Sequence, residues 1–371
     1  MRILGSAVDF GWGPTGKLSS IMKALPEAEW YTCGGGTDSP ILRDQPITAT
    51  CEGRDHDTLQ RYCREAQIDA AVVVLDPELA ATLEEIGVST VYVDSLPFLW
   101  TEKDFVPGRV SAYCAQMCGS LPDHSWSKLR EITNLKWVEA IVPPSKTSRT
   151  DTRDNRAVVN LGGLHWTTPT PASYACAVLP PVVRGLQGFD FEEIAITGSP
   201  TAIESARKAL IDAPCHVTFK SLPHSEFLEL VSQSSILLSS PGLTTILETS
   251  SFRVPTVLLP PQNLSQYTNS RFFSTYTSGR IIGWSDKELL PHRIQKLLPF
   301  GEEAVVRFIQ EQIDRVSKSK EEGENIENRI NDLCSSALVD RSFSSHFHDI
   351  FGNDGAAQVA KQIITIARQR R

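Results

Sequence analysis

The sequence predicts an α/β chain of two doubly wound halves facing a cleft, and three observations carry that expectation. Short, fully apolar runs alternate with amphipathic stretches along the whole chain, the pattern of parallel strands covered by helices on both faces. The length, 371 residues, suits two domains of ordinary size. A polar stretch at 143–156, rich in Pro, Ser, Thr and charge, separates one series of runs from a second. The expected division is therefore a first domain over 1–142, a linker over 143–156, a second domain over 157–355 and a terminal helix over 356–371.

In the first half, residues 2–8 read as a buried strand, and a Gly-rich turn leads to an amphipathic stretch at 18–25. The run AAVVVL at 70–75 is a strand ending at Asp76-Pro77. Asp76 before a proline fits an N-cap of the helix expected over 78–86. Residues 89–93 form the next strand, closed by Asp94-Ser95, and 140–142 reads as one more short strand. A fresh series follows the linker, with strands at 157–161, 193–197, 216–219, 236–238 and 254–259. Helices are expected over 225–232 and 243–251. The charge-dense stretch 318–327 reads as a solvated helix face, and 356–368 is amphipathic.

Composition narrows the class. The chain is 41% hydrophobic and 22% charged, as in a soluble globular protein. No run of eighteen apolar residues occurs, so no transmembrane segment is expected. The first residues lack the length and cleavage site of a signal peptide. The eight cysteines are scattered; Cys114 and Cys118 have no companion pair to complete a zinc site. Reduced thiols and a cytoplasmic location are expected. A net charge of −8 argues against a nucleic-acid surface built on phosphate contacts.

The most informative segment is 239–269, SSPGLTTILETSSFRVPTVLLPPQNLSQYTN. It reads as strand, small-residue turn, helix, strand, polar loop. A helix opening behind Gly242 presents free amides and a positive dipole end to a phosphate. Ser240, Gly242, Leu243, Thr244 and Thr245 make that turn. Glu248, on the next turn, can accept from the hydroxyls of a ribose. Gln262, Asn263, Gln266 and Asn269 can read sugar hydroxyls, because an amide both donates and accepts.

Gly242, Thr245, Glu248, Pro255, Pro260, Gln262, Gln266, Tyr267 and Asn269 match in order the donor-site pattern of the GT-B glycosyltransferases. The stretch resembles most the branch that adds N-acetylglucosamine to lipid-linked muramyl-pentapeptide. Pro241 and a shorter loop between Gln262 and Gln266 depart from that pattern. The resemblance implies two Rossmann-like domains, with the donor held by the second half and the acceptor by the first. It also implies a C-terminal helix that crosses back to the first domain. An ordinary βαβ unit without a ligand is the alternative for this stretch.

Three further Gly turns bear on the donor. Gly11-Trp12-Gly13-Pro14-Thr15-Gly16-Lys17 fits G-x-G-x-x-G in form, but no acidic-ended second strand follows. It also fits a phosphate loop, with Leu18 where Ser or Thr is required. The resemblance offers a third reading: the first loop of a GT-B enzyme, near the donor phosphates and the acceptor, with Lys17 where the family has His. A strand-to-helix turn needing Gly for geometry alone stays open. In the second half, Gly162-Gly163 would let the backbone approach the diphosphate, and Thr197-Gly198-Ser199 closes the next strand. His224, before the helix at 225–232, stands where the family holds the nucleotide base; a plain place at a helix N-terminus is an equal reading.

Inverting transfer needs a base for the acceptor proton and a clamp on the departing diphosphate. Asp9, at the end of the first strand, is the first candidate base and Asp94 the second. Phe10, Trp12, Gly13, Ser95, Trp100, Tyr113 and Gln116 are the candidates for a flat acceptor, with core packing the alternative for Phe98 and Trp100. No D-x-D stands at a suitable strand end, and no metal or other cofactor is expected beyond the UDP-sugar co-substrate. FGWGPTGK and DSLPFLW also resemble the cytosylglucuronate synthases of nucleoside-antibiotic pathways, which join a glucuronate from UDP-glucuronate to a cytosine nitrogen. The expected activity is inverting transfer from a UDP-sugar to a small-molecule acceptor, with a homodimer left open. A UDP-sugar hydrolase or 2-epimerase on the same fold, or a non-catalytic sugar-nucleotide-binding protein, are the alternatives.

Overall fold

A computed structural model describes the chain apart from residues 10, 35–39, 44, 102, 120, 144–152, 163–170, 251, 275–279, 285–288, 301, 340–348 and 370–371. The chain divides into two compact units, Met1–Ser145 with Asp349–Arg371, and Lys146–His348. Most of the stretch expected as a linker, 144–152, lies outside the described residues, and Asp154 already belongs to a strand.

The first unit is built on seven strands: β1 (Arg2–Ala7), β2 (Glu29–Cys33), β3 (Ile47–Cys51), β4 (Ala70–Val74), β5 (Thr90–Asp94), β6 (Ala112–Gln116) and β7 (Leu135–Val138). All neighbours pair in parallel, in the order β3-β2-β1-β4-β5-β6-β7. The sheet is covered on both faces, which is why β4 and β5 are fully buried runs of mostly β-branched residues. On one face, α1 (Trp12–Ala24) and α13 (Gly355–Gln369) pack Leu18, Ile21, Val359 and Ile363 against Ile3, Val72, Val74 and Val91. On the other, α2 (His56–Glu65), α3 (Pro77–Glu85) and α4 (Asp123–Arg130) bring Leu59, Leu79, Leu83 and Leu129 onto Leu4, Val73 and Tyr92.

Strand β1, the β4 and β5 runs and helix α3 fall where the sequence predicts them. Asp76 is the N-cap of α3, accepting from Leu79 N at 3.2 Å, and Arg54 pairs with its second oxygen. Strands β2, β3 and β7 carry no such sequence signal. The outer strands β3 and β7 expose Thr48, Ala49, Thr50, Lys136 and Trp137, so their runs are half polar. The strand expected over 140–142 does not form. That segment instead anchors the end of the chain: Ala140 N donates to Phe351 O at 2.8 Å, and Gly355 N donates to Ala140 O at 3.2 Å. Glu139 Oε2 accepts from Asn353 N and Asp354 N, both at 2.9 Å, in front of α13. Gly355 lies so close that a Cβ there would fall 2.1 Å from Glu139 O.

The second unit has a five-stranded parallel sheet of β8 (Asp154–Asn160), β9 (Glu193–Thr197), β10 (Val217–Lys220), β11 (Ser234–Ser239) and β12 (Thr256–Leu258), in the order β10-β9-β8-β11-β12. Its helices are α5 (Pro171–Leu186), α6 (Pro200–Ala209), α7 (His224–Gln233), α8 (Leu243–Ser250), α9 (Leu264–Ser274), α10 (Leu289–Leu297), α11 (Glu302–Lys318) and α12 (Lys320–Val339). Helices α11 and α12 pack on α5. Gly185 permits this, since a Cβ there would meet Glu327 O and Ile330 at 2.8 Å. The solvated helix expected at 318–327 is broken at Ser319, and α12, which follows, buries Ile326 and Ile330. The order of strands reverses between β8 and β11, and ligands of such sheets gather at the carboxyl ends beside that point.

Candidate donor site in the second unit

Strands β8 and β11 end side by side in Asn160-Leu161-Gly162 and Ser239-Ser240-Pro241-Gly242. Asn160 ties the two ends together. Its Nδ2 donates to Ser239 Oγ at 3.1 Å, its Oδ1 accepts from Gly162 N at 3.1 Å, and its carbonyl accepts from Ser240 N at 3.0 Å. Gly162 has φ +76°, a left-handed conformation suited to glycine, and Ser199 N donates to its carbonyl at 3.2 Å. Gly198 packs against that carbonyl, where a Cβ would stand 3.3 Å away. Ser199 then caps α6, accepting from Ala202 N at 3.2 Å. Gly163 lies outside the described residues.

Gly242 N donates to Ser240 O at 2.7 Å, closing a tight turn, and α8 begins at the next residue. Gly242, Leu243, Thr244 and Thr245 are half-buried, whereas Ile246 to Ser250 are buried. The first turn of α8, whose amides have no partner within a helix, is therefore its accessible end. Glu248 is 5% exposed, and its Oε1 lies 2.9 Å from Nε2 of His224, the first residue of α7. The structure thus brings together two residues that the sequence picked out separately. The imidazole meets the carboxylate that was expected to hold the ribose.

The amide-rich loop is largely occupied with the backbone. Asn263 caps α9, its Oδ1 accepting from Gln266 N and from Ser265 Oγ, both at 2.9 Å. Gln266 Oε1 accepts from the N–H of Gln262, the residue before that cap, at 2.9 Å. Gln262 Nε2 donates to Leu161 O at 3.1 Å, and Asn269 Nδ2 to Pro241 O at 3.0 Å. These amides bind the loop to the ends of β8 and β11. The Asn263 carbonyl oxygen thus has both lone pairs engaged, and that of Gln266 one. Two residues with no local motif complete the loop's support. Tyr174 Oη donates to Pro260 O and Trp284 Nε1 to Pro261 O, each at 2.8 Å. Only the fold brings these two together, since they lie far apart in sequence.

In the first unit, helix α1 opens at Trp12, directly behind Gly11 at φ 64° and ψ −155°. Gly13 to Lys17 are thereby inside the helix. Gly16 is buried, and Lys17, 1% exposed, donates from Nζ to Gln116 Oε1 at 2.9 Å. Gln116 Oε1 also accepts from Ile141 N at 3.1 Å. Lys17 and Gln116 therefore lie in the interior of this unit.

Asp94 is fully buried. Its Oδ2 accepts from Trp100 Nε1 at 2.6 Å and from Tyr113 Oη at 2.7 Å, and its Oδ1 from Leu96 N at 3.0 Å. Burial pushes its carboxyl up, against the hydrogen bonds from Trp100, Tyr113 and Leu96. Burial likewise pushes the Tyr113 hydroxyl up. Asp94, Tyr113 and the indole nitrogen of Trp100 thus form a structural hub, with Ser95 buried beside it. Asp94, the second candidate base, and Tyr113, a candidate acceptor contact, are thus bonded to each other inside the unit. Asp9 is exposed after β1, and Trp12 and Gly13 are half-buried at the start of α1; Phe10 lies outside the described residues. Among the described residues no helix is long and apolar enough to cross a membrane, and no three His, Cys, Asp or Glu side chains cluster to hold a metal.

Comparison with solved structures shows the fold. MurG from Acinetobacter baumannii is 14% identical, with a TM-score of 0.54 over 98% of this chain and 99% of that one. The spinosyn rhamnosyltransferase SpnG is 12% identical, with a TM-score of 0.59 over 99% and 98%. A UDP-glucosyltransferase from Polygonum tinctorium is 12% identical, with a TM-score of 0.56 over 99% and 98%. The architecture is GT-B, two parallel-sheet α/β units, as the sequence predicts. No curated protein matches the chain. The family model of CGA synthase-related proteins matches residues 47–277, more than half of the sequence, and the chain belongs to that family.

Proposed function

We propose that this protein is an inverting glycosyltransferase that moves a sugar from a UDP-sugar to a small-molecule acceptor. The observation that carries the reading is the accessible first turn of α8 at the strand-order reversal of β8 and β11, with buried Glu248 one turn further on. The amides of Leu243, Thr244 and Thr245 and the helix dipole would take the diphosphate, and Gly162 would let the backbone approach it. As the bond to the sugar breaks, negative charge grows on the diphosphate, and those fixed amides stabilise it. Glu248 would accept from the ribose hydroxyls. The exposed Asp9 is the proposed base for the acceptor proton; Lys17 and Asp94, both buried and bonded, have no part in the step. Membership of the CGA synthase-related family and the resemblance of FGWGPTGK and DSLPFLW to cytosylglucuronate synthases support cytosine and UDP-glucuronate as the first pair to try.

The test is calorimetry with UDP and a panel of UDP-sugars, followed by mass spectrometry of acceptor mixtures with the donor that binds best. A glycosylated acceptor is the expected product. Full-rate release of UDP without acceptor would make the protein a hydrolase, and binding without turnover would make it a sugar-nucleotide-binding protein. Asp9→Asn should lower kcat by about 10²-fold with donor affinity unchanged; near-normal turnover would remove Asp9 from the mechanism.

A further inference from the structure

The contact between His224 and Glu248 is the feature of the second unit that the donor reading leaves unexplained. Glu248 sits on the second turn of α8, its side chain 3% exposed, and His224 opens α7 with its side chain 12% exposed. A carboxylate in such a place is costly unless a partner meets it. The partner here is an imidazole nitrogen 2.9 Å from Oε1. The contact brings the carboxylate to the N-terminal end of α7, where the helix dipole also favours an anion. A carboxylate has two oxygens and about four lone-pair positions. An imidazole nitrogen at ion-pair distance from Oε1 restrains the rotation of the carboxylate. Left unfixed, the Glu side chain would have to be ordered when a ligand binds, which weakens binding.

We propose that His224 is a positioning residue for ribose recognition. Its imidazole holds the Glu248 carboxylate in the orientation that receives the 2′- and 3′-hydroxyls, so that ribonucleoside diphosphates are bound in preference to their 2′-deoxy forms. The inference rests on the reading of Glu248 as the ribose acceptor and adds to it a specificity set from a neighbouring helix. The competing role is a pin between α7 and α8, which would affect ligands with and without the 2′-hydroxyl alike.

The experiment measures affinities of the full chain for UDP and 2′-deoxy-UDP by calorimetry. The unaltered protein should prefer UDP by about 10-fold or more, the worth of a hydrogen bond to a charged group. Glu248→Gln and His224→Ala should both bring the preference to within about 2-fold. His224→Gln, which keeps an N–H donor, should restore most of it. A preference that His224→Ala leaves intact and Glu248→Gln abolishes overturns the positioning role alone. An unaltered protein that does not bind UDP overturns the donor reading and this inference together. Should His224→Ala not fold, His224→Leu takes its place in the comparison. Failure of that variant to fold as well assigns His224 to the fold and overturns the proposal.

Discussion

Burial, residue by residue, separates carboxylates that the sequence presents alike. Asp9 and Asp94 look alike in sequence, each following a short apolar strand, yet one is exposed and the other sealed beneath Trp100 and Tyr113. The difference could not be read locally, because Tyr113 comes from a different strand and Trp100 from a separate turn. At Asp94 three donors converge on one carboxylate. Asp94→Asn would turn an amide N–H₂ toward at least one of them, setting donor against donor. The expected loss is about 1–3 kcal/mol, seen as a lower urea midpoint with unchanged donor affinity. Gly11, by contrast, was legible as a turn residue. Its φ of 64° with ψ of −155° is a region essentially confined to glycine. Gly11→Ala should destabilise by about 1–3 kcal/mol, measured by chemical denaturation. Lys17 follows a turn that is shorter than the Gly spacing suggests. With the helix beginning at Trp12, Lys17 points into the unit and meets Gln116.

At the scale of elements, caps and clamps decide what the polar side chains do. The Gln262–Gln266 loop was legible as a polar loop before a helix. Its amides cap α9 and tie the loop to β8 and β11, a task visible only once those ends are adjacent. Asn263→Ala should cost about 1 kcal/mol through loss of the cap; an unchanged melting temperature would contradict that role. At the β8–β9–β10 edge, Glu193 is clamped by Lys220, Thr218 and Arg156. Burial pushes its carboxyl up, but the bonds from Lys220, Thr218 and Arg156 outweigh it and hold it at about 2, below the ordinary 4.5. A lowered folded-state pKa adds stability that is present above pH 4.5 and is lost as the pH falls toward 2. The upper bound is about 3 kcal/mol. Urea midpoints at pH 7 and pH 3 should therefore converge more in Glu193→Gln than in the unaltered protein. Equal pH dependence in the two would rule out Glu193 as the source.

For the whole molecule, the first unit is assembled from both ends of the chain. Helix α13 returns to lie on α1, β4 and β5, burying Val359, Ile363 and Ile366 beside Ile3 and Val91. Deleting 355–371 should expose that face of the sheet. A dye that binds apolar surface should then fluoresce, and the cooperative unfolding of this unit should be lost; an unaltered melting curve would show that α13 is dispensable. The α/β class and the parallel sheets were determined by the sequence alone, because fully buried strands such as Ala70–Val74 must be apolar throughout. So was the strand–turn–helix order of 234–250, since a strand, a glycine turn and a helix start are all local. The tertiary structure alone decided the edge strands Ile47–Cys51 and Leu135–Val138, whose half-polar runs become strands only when a neighbour completes their ladder. It alone decided that Lys17 and Asp94 are interior, and that His224 meets Glu248. Burial and contact between distant residues are properties of the assembled fold, and no spacing within one element encodes them.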